Sequence, residues 1–151
     1  MLTLSWKDVE DSTNTIIAQM LMRNWRPDYV VGIVPHGLTP AVMIAQRLGL
    51  PMEALNPAES NCWMPMDATG LEDGETHYLL IVDGASGNGS TVENIKADWQ
   101  MSIGPTDLTD IWHNRVMFAT VVENAESKTD IDFVHIHLSE PYQQVHFPWQ
   151  P

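Results

Sequence analysis

An α/β fold, a parallel sheet doubly wound with helices on both faces, is what this sequence predicts, and three observations predict it. Short apolar runs, "DYVVGIV", "YLLIVD" and "RVMFATVV", recur with helix-spaced segments between them. The runs carry little polar alternation, as strands buried on both faces should. Two of them break into small-residue loops that restart as helices, "PHGLTP" and "GASGNGST". That is the βαβ pattern, whose crossovers are right-handed.

Each element follows from its own residues. Ser5 with Asp8 three positions later is a capping-box signature. Val9, Thr13, Ile16, Ile17, Met20 and Leu21 follow at helical spacing, so a first helix ends near Asn24. The run 28–34 between Pro27 and Pro35 is a buried strand. Thr39 is expected as an N-cap with Pro40 at the first helical position, and Gly49 and Pro51 stop that helix after Leu48. The polar, broken span 52–77 reads as a long loop, a kind usually functional or mobile. A strand over 78–83, a helix over 92–100, a short helix over 106–113 and strands over 115–122 and 132–138 complete the pattern.

Composition narrows the function. A chain of 151 residues is expected to form one domain, 1–151. Seven basic against 20 acidic residues, a net charge of −13, argue against nucleic acid and anionic membranes as partners. The one cysteine, Cys62, cannot make an intramolecular disulfide, which fits a reducing compartment. The opening "MLTLSWKDVEDS" shows no basic flank before an apolar run, and no stretch has the length of a membrane span, so a cytoplasmic location is expected.

In a parallel sheet ligands bind at the carboxyl ends of strands, where both small-residue loops would lie. "GASGNGST" runs into a helix N-terminus, where backbone N–H groups and the helix dipole favour an anion. Ser86, Asn88, Ser90 and Thr91 add side-chain donors, and Asp83 can ligate Mg²⁺ or hold sugar hydroxyls. The alternative is a tight strand–helix turn with no ligand. Gly84 to Thr91 nearly matches a P-loop, but Ser90 stands where its lysine would be, and no G-x-G-x-x-G occurs. His135 and His137 share a strand face without a third metal ligand, which favours a structural role. Trp6, Trp25, Trp99 and Trp112 read as packing residues, and Trp149 divides between packing and ligand contact.

"LLIVDGASGNGSTV" resembles the phosphoribosyl-pyrophosphate (PRPP) motif of type I phosphoribosyltransferases, an apolar strand followed by D-[DE]-x-x-x-T-G-x-T. "YVVGIVPHGLTPAVMIAQRLGLP" resembles their earlier loop, usually V-x-G-I-x-R-G-G-x-x-P-A. The opening "SWKDVE" and closing "FPW" are similar to the xanthine–guanine and hypoxanthine branch. The resemblance implies a phosphoribosyltransferase fold with a small C-terminal hood from about 132–151. It further implies a reaction that joins a purine or related base to PRPP with loss of pyrophosphate, assisted by Mg²⁺. PRPP and a nucleobase would be the partners, and a dimer or tetramer the assembly.

By motif position, the resemblance gives Asp83 the catalytic and metal-binding place on the ribose hydroxyls. It gives Ser86, Gly87, Asn88, Gly89, Ser90 and Thr91 the 5′-phosphate, and Pro35, His36 and Gly37 the pyrophosphate. Asn124, Tyr142, Gln144, Val145 and Trp149 fall on the base, and 53–77 matches a covering loop. Several letters differ. Gly84 replaces the second acid, and Gly87 an acid that exchanges a proton with the base unless a positive φ requires glycine there. Asn88 replaces a threonine and Pro35 a basic residue. Asn124 stands near the place of a lysine, and Gln144 at that of a stacking aromatic. A second class of function therefore stands beside the enzyme: a catalytically weak module that binds PRPP or a nucleotide.

Overall fold

Ser5 starts the first helix as its spacing predicts. Its hydroxyl accepts the Asp8 N–H at 3.1 Å, while the Asp8 carboxylate accepts the Ser5 N–H at 2.8 Å. In the computed structural model, which describes residues 1–58, 78–87, 89–103, 107–128, 130–141 and 143–151, helix α1 then spans Trp6–Met22. The strands Tyr29–Ile33 (β2), Met52–Leu55 (β3), Leu79–Ser86 (β4), Val116–Glu123 (β5) and Phe133–His137 (β6) form one parallel sheet in the order β3-β2-β4-β5-β6. Helices Leu38–Leu48 (α2) and Ser90–Ile103 (α3) provide crossovers. Leu2–Thr3 (β1) pairs in parallel with Val145–His146 (β7) as a separate two-stranded sheet.

The two faces of the sheet are sorted by strand alternation. Val31, Ile33, Leu79, Ile81, Val116 and Phe118 pack with Val92, Ile95 and Trp99 of α3. Their immediate neighbours Val30, Leu80, Val82, Met117 and Ala119 pack with Ile16 and Met20 of α1 and Ala41 and Ile44 of α2. Both faces are therefore covered, which is why the central strands read as unbroken apolar runs.

Several boundaries differ from expectation. The N-cap of α2 is Gly37, not Thr39, and Pro40 sits at the third helical position. A proline is tolerated there because the first four N–H groups of a helix lack intrahelical acceptors. Gly49, at φ 66°, ends that helix as expected. The start of the span read as a loop is the edge strand β3; paired on one side only and half exposed, it has no apolar pattern to read. Residues 59–77, most of the expected covering loop, lie outside the described residues.

The expected short helix over 106–113 is not formed in its described part, residues 107–113. Leu108 and Ile111 are buried, so their spacing belongs to a single turn closed by the Ile111 N–H on the Leu108 carbonyl at 3.0 Å. His113, at φ 61°, leaves the helical region directly afterwards. The expected hood segment 132–151 also divides: β6 is the edge of the main sheet, and β7 pairs with the N-terminus. Among the described residues no helix is long and apolar enough to cross a membrane.

Candidate active site at the carboxyl edge of the sheet

From β2 the chain steps outward to β3, then crosses to the other side of β2 to form β4. The direction of winding thus reverses between β2 and β4, and a crevice opens above their carboxyl ends. Alternation along β4 decides what faces that crevice. Asp83 continues the face of Leu79 and Ile81, toward α3; Gly84 continues the face of Leu80 and Val82, toward α2.

On the α3 side, Asp83, Ser86, Gly87, Gly89, Ser90 and Thr91 line one cavity of about 130 Å³ with Thr120 and Ile131. Gly89, at φ 87°, makes the turn into α3, and its carbonyl accepts the Glu93 N–H at 3.2 Å. That left-handed geometry favours glycine, and it sets the N-terminus of α3, with the positive end of the helix dipole, beside the cavity. Ser86 is buried and shares a 3.2 Å hydroxyl contact with Ser127, which docks the loop after β5 onto the cradle. Asn88 lies outside the described residues.

Asp83 is half-buried, and its Oδ1 accepts the Gly84 N–H at 2.7 Å. Burial raises its pKa to about 6, only partly opposed by that bond, and no basic group lowers it. Among the described residues no three His, Cys, Asp or Glu side chains form a metal cage. A single uncompensated carboxylate still suits Mg²⁺, which is commonly held by one or two carboxylates together with a ligand's phosphates.

On the α2 side, the loop after β2 presses onto β4. The Val34–Pro35 peptide is cis, Pro35 is exposed, and Gly37 is buried where a Cβ would collide with Val82 O and lie 2.8 Å from Asp83 Cα. His36 stacks on Phe147 (centroids 4.9 Å apart, 23° between planes), and Phe147 stacks on Trp149 (4.8 Å, 8°). The Trp149 indole N–H donates to His36 Nδ1 at 3.1 Å. Burial lowers the His36 pKa, so the ring is neutral at pH 7.

None of the described residues assigned to the base lines that cavity. Asn124 donates from Nδ2 to the Gln143 carbonyl at 3.4 Å, tying the loop after β5 to the C-terminal segment. Gln144 is exposed, and its carbonyl accepts the Leu2 N–H at 2.8 Å. Val145 packs in β7 against the Phe147 cluster, and Trp149 also meets Trp6 at 5.9 Å. Tyr142 lies outside the described residues. His135 bonds Ser12 at 2.6 Å and His137 faces Glu123, so each has a structural partner. Sequence reasoning missed Thr120, Phe147 and Ile131. Thr120 lies in register with Asp83, and Phe147 sits within "FPW", but no local signal marks Ile131.

The two glycines at acid positions differ in kind. A Cβ on Gly84 would lie 2.6 Å from His36 Cβ, 2.8 Å from His36 O and 2.9 Å from Phe147 Cζ. His36 and Phe147 occupy the space that a side chain at position 84 would need. Gly87 has nothing within 4 Å and is not in the left-handed region, so no positive φ accounts for it. Gly84→Asp should therefore cost about 2–3 kcal/mol in urea unfolding through overpacking. Gly87→Asp should stay within about 0.5 kcal/mol of the parent, as surface changes do. Equal costs would contradict the assignment.

The raised Asp83 pKa makes a signed prediction. Its folded pKa of about 6 exceeds the ordinary 3.8, so the native state binds the proton more tightly. The resulting stabilisation is complete below about 3.8 and is lost as pH rises through about 6. Asp83→Asn should flatten the stability profile across that window and raise stability at pH 7. An unchanged profile would show that burial does not perturb this carboxyl.

A family model for the phosphoribosyl transferase domain matches residues 4–151. Among solved structures, a purine phosphoribosyltransferase from Pyrococcus horikoshii Ot3 is similar at TM-score 0.71 and 19% identity, over 99% of this chain and 94% of that one. The Helicobacter pylori xanthine-guanine-hypoxanthine phosphoribosyltransferase follows at TM-score 0.70 and 16% identity, over 98% and 92%. A hypothetical protein from Neisseria gonorrhoeae with bound ppGpp gives TM-score 0.67 and 14% identity, over 99% and 90%. No curated protein matches the chain by sequence. At these identities the neighbours speak for the fold, that of a type I phosphoribosyltransferase of the kind seen in the purine enzymes. With the matched model spanning 4–151, the chain belongs to the phosphoribosyltransferase family.

Proposed function

We propose that this protein transfers ribose 5-phosphate from PRPP to a purine or related base, releasing pyrophosphate. The observation that carries the reading is the single cavity in which Asp83 meets the Ser86–Thr91 loop at the start of α3. Family membership and the purine enzymes among the fold neighbours support it.

The 5′-phosphate would rest on the N–H groups at the start of α3, where the helix dipole favours it. Asp83 would hold the ribose hydroxyls, and its charge would favour the cationic, oxocarbenium-like sugar of the transition state. The loop 34–37 would take the diphosphate, and the rim at Asn124, Gln144, Val145 and Trp149 would border the base. Mg²⁺ entering with PRPP, with Asp83 as its protein ligand, would neutralise the departing diphosphate. Residues that hold sugar and base in line contribute through positioning rather than covalent chemistry.

A second reading, a binding module for PRPP or a nucleotide, is favoured by one observation: no carboxyl stands at Gly84 or Gly87, and a side chain at the first would displace His36 and Phe147. The Neisseria gonorrhoeae neighbour with bound ppGpp fits that class. Pyrophosphate release from PRPP and Mg²⁺, screened base by base, separates the two. The enzyme reading expects turnover with at least one purine, loss of it in Asp83→Asn, and a rise of up to about 10²-fold in Gly87→Asp if proton transfer limits the rate. If wild type and Gly87→Asp both bind PRPP and neither turns over any base, the binding module replaces the enzyme.

A further inference from the structure

The imidazole of His36 is held on most sides. Its Cβ packs over Gly84, its face stacks on Phe147, and its Nδ1 accepts the indole N–H of Trp149. Trp149 is itself fixed: it stacks on Phe147, meets Trp6 from the first turn of α1, and sits in a turn closed by the Gln150 N–H on the Phe147 carbonyl at 3.0 Å. A ring nitrogen that accepts a hydrogen bond carries no proton, so the neutral ring must carry its proton on Nε2. Among the described residues Nε2 has no hydrogen-bond partner.

We propose that Trp149 is a positioning residue: by donating to Nδ1 it fixes His36 as the Nε2–H tautomer, so that the loop after β2 offers a diphosphate oxygen a neutral N–H donor. This rests on the reading of that loop as the diphosphate site. Protonating Nδ1 would set donor against donor and sacrifice the indole bond, so the stack itself keeps the ring uncharged. Burial acts in the same direction. The empty Cβ position of Gly84 is part of the device, since a side chain there would displace the ring. Trp149 thus acts on the diphosphate side of the site through His36, besides bordering the base.

The test is a two-bond ¹H–¹⁵N correlation spectrum of the full chain labelled with ¹⁵N-histidine, at neutral pH. Wild-type His36 should show a protonated Nε2 and a bare Nδ1, and Mg²⁺ with inorganic pyrophosphate should shift Nε2. Trp149→Phe keeps an aromatic ring in the stack but removes the N–H donor, along with one ring of the indole. It should yield a tautomer mixture and weaken pyrophosphate binding roughly three- to ten-fold, the worth of one hydrogen bond. A merely structural role for Trp149 would lower stability without moving the tautomer. The wild-type spectrum decides even if the variant does not fold: a protonated Nδ1 overturns the proposal. So does an unmoved Nε2 while the amides of 86–91 respond, or a variant with unchanged tautomer and affinity. If neither loop responds to pyrophosphate or ribose 5-phosphate, the reading of the site falls, and this inference with it.

Discussion

The close approach of the β2–α2 loop to the end of β4 is the constraint on which the rest of the site depends. Two glycines on opposite sides of the contact make it possible. Gly37 brings the loop backbone against Val82 and Asp83, and Gly84 leaves room for His36 above it. A side chain at either would push the elements apart. With the contact made, α2 starts directly over the strand, its N-cap N–H bonding the Ile33 carbonyl at 2.7 Å. Phe147 and Trp149 of the C-terminal segment then stack in line with His36 over the end of β4. Substituting Gly84 therefore disturbs two loops and the C-terminus together, whereas a Cβ at Gly87 would meet nothing within 4 Å among the described residues.

That geometry sets the electrostatics. In a chain of net charge −13, an anion site must draw positive potential from somewhere. His36 is neutral and bonded through Nδ1. The remaining sources are oriented N–H groups, the dipole at the start of α3 and a divalent cation. Burial of Asp83 without a protein cation beside it has the same logic: its carboxylate is costly until a cation or hydroxyl donors arrive. The bound state would satisfy groups that the free protein leaves strained in charge.

The fold was legible where burial is two-sided. β2, β4 and β5 are apolar on both faces, and α1 announces itself through Ser5 and Asp8. It was illegible where pairing alone makes a strand. β3 is a half-exposed edge, β1 and β7 hold two residues each, and the turn around Leu108 and Ile111 carries one helical repeat. Within the site, Asp83 and Ser86–Thr91 are contiguous in sequence, so strand, loop and helix could be read in one pass. Thr120 comes from a neighbouring strand, and the aromatic stack joins residue 36 to residues 147 and 149, which no local pattern connects. The difference between Gly84 and Gly87 exists only in three dimensions: one lies under a ring, the other faces open space.

The most direct test of this account is a crystal structure of the chain with ribose 5-phosphate and Mg²⁺. The account predicts phosphate oxygens on the backbone N–H groups of the Ser86–Thr91 turn, ribose hydroxyls at Asp83, and the His36 ring still stacked on Phe147 above Gly84. Phosphate bound away from that turn, or an aromatic stack dismantled to admit the sugar on the Gly84 side, would contradict it.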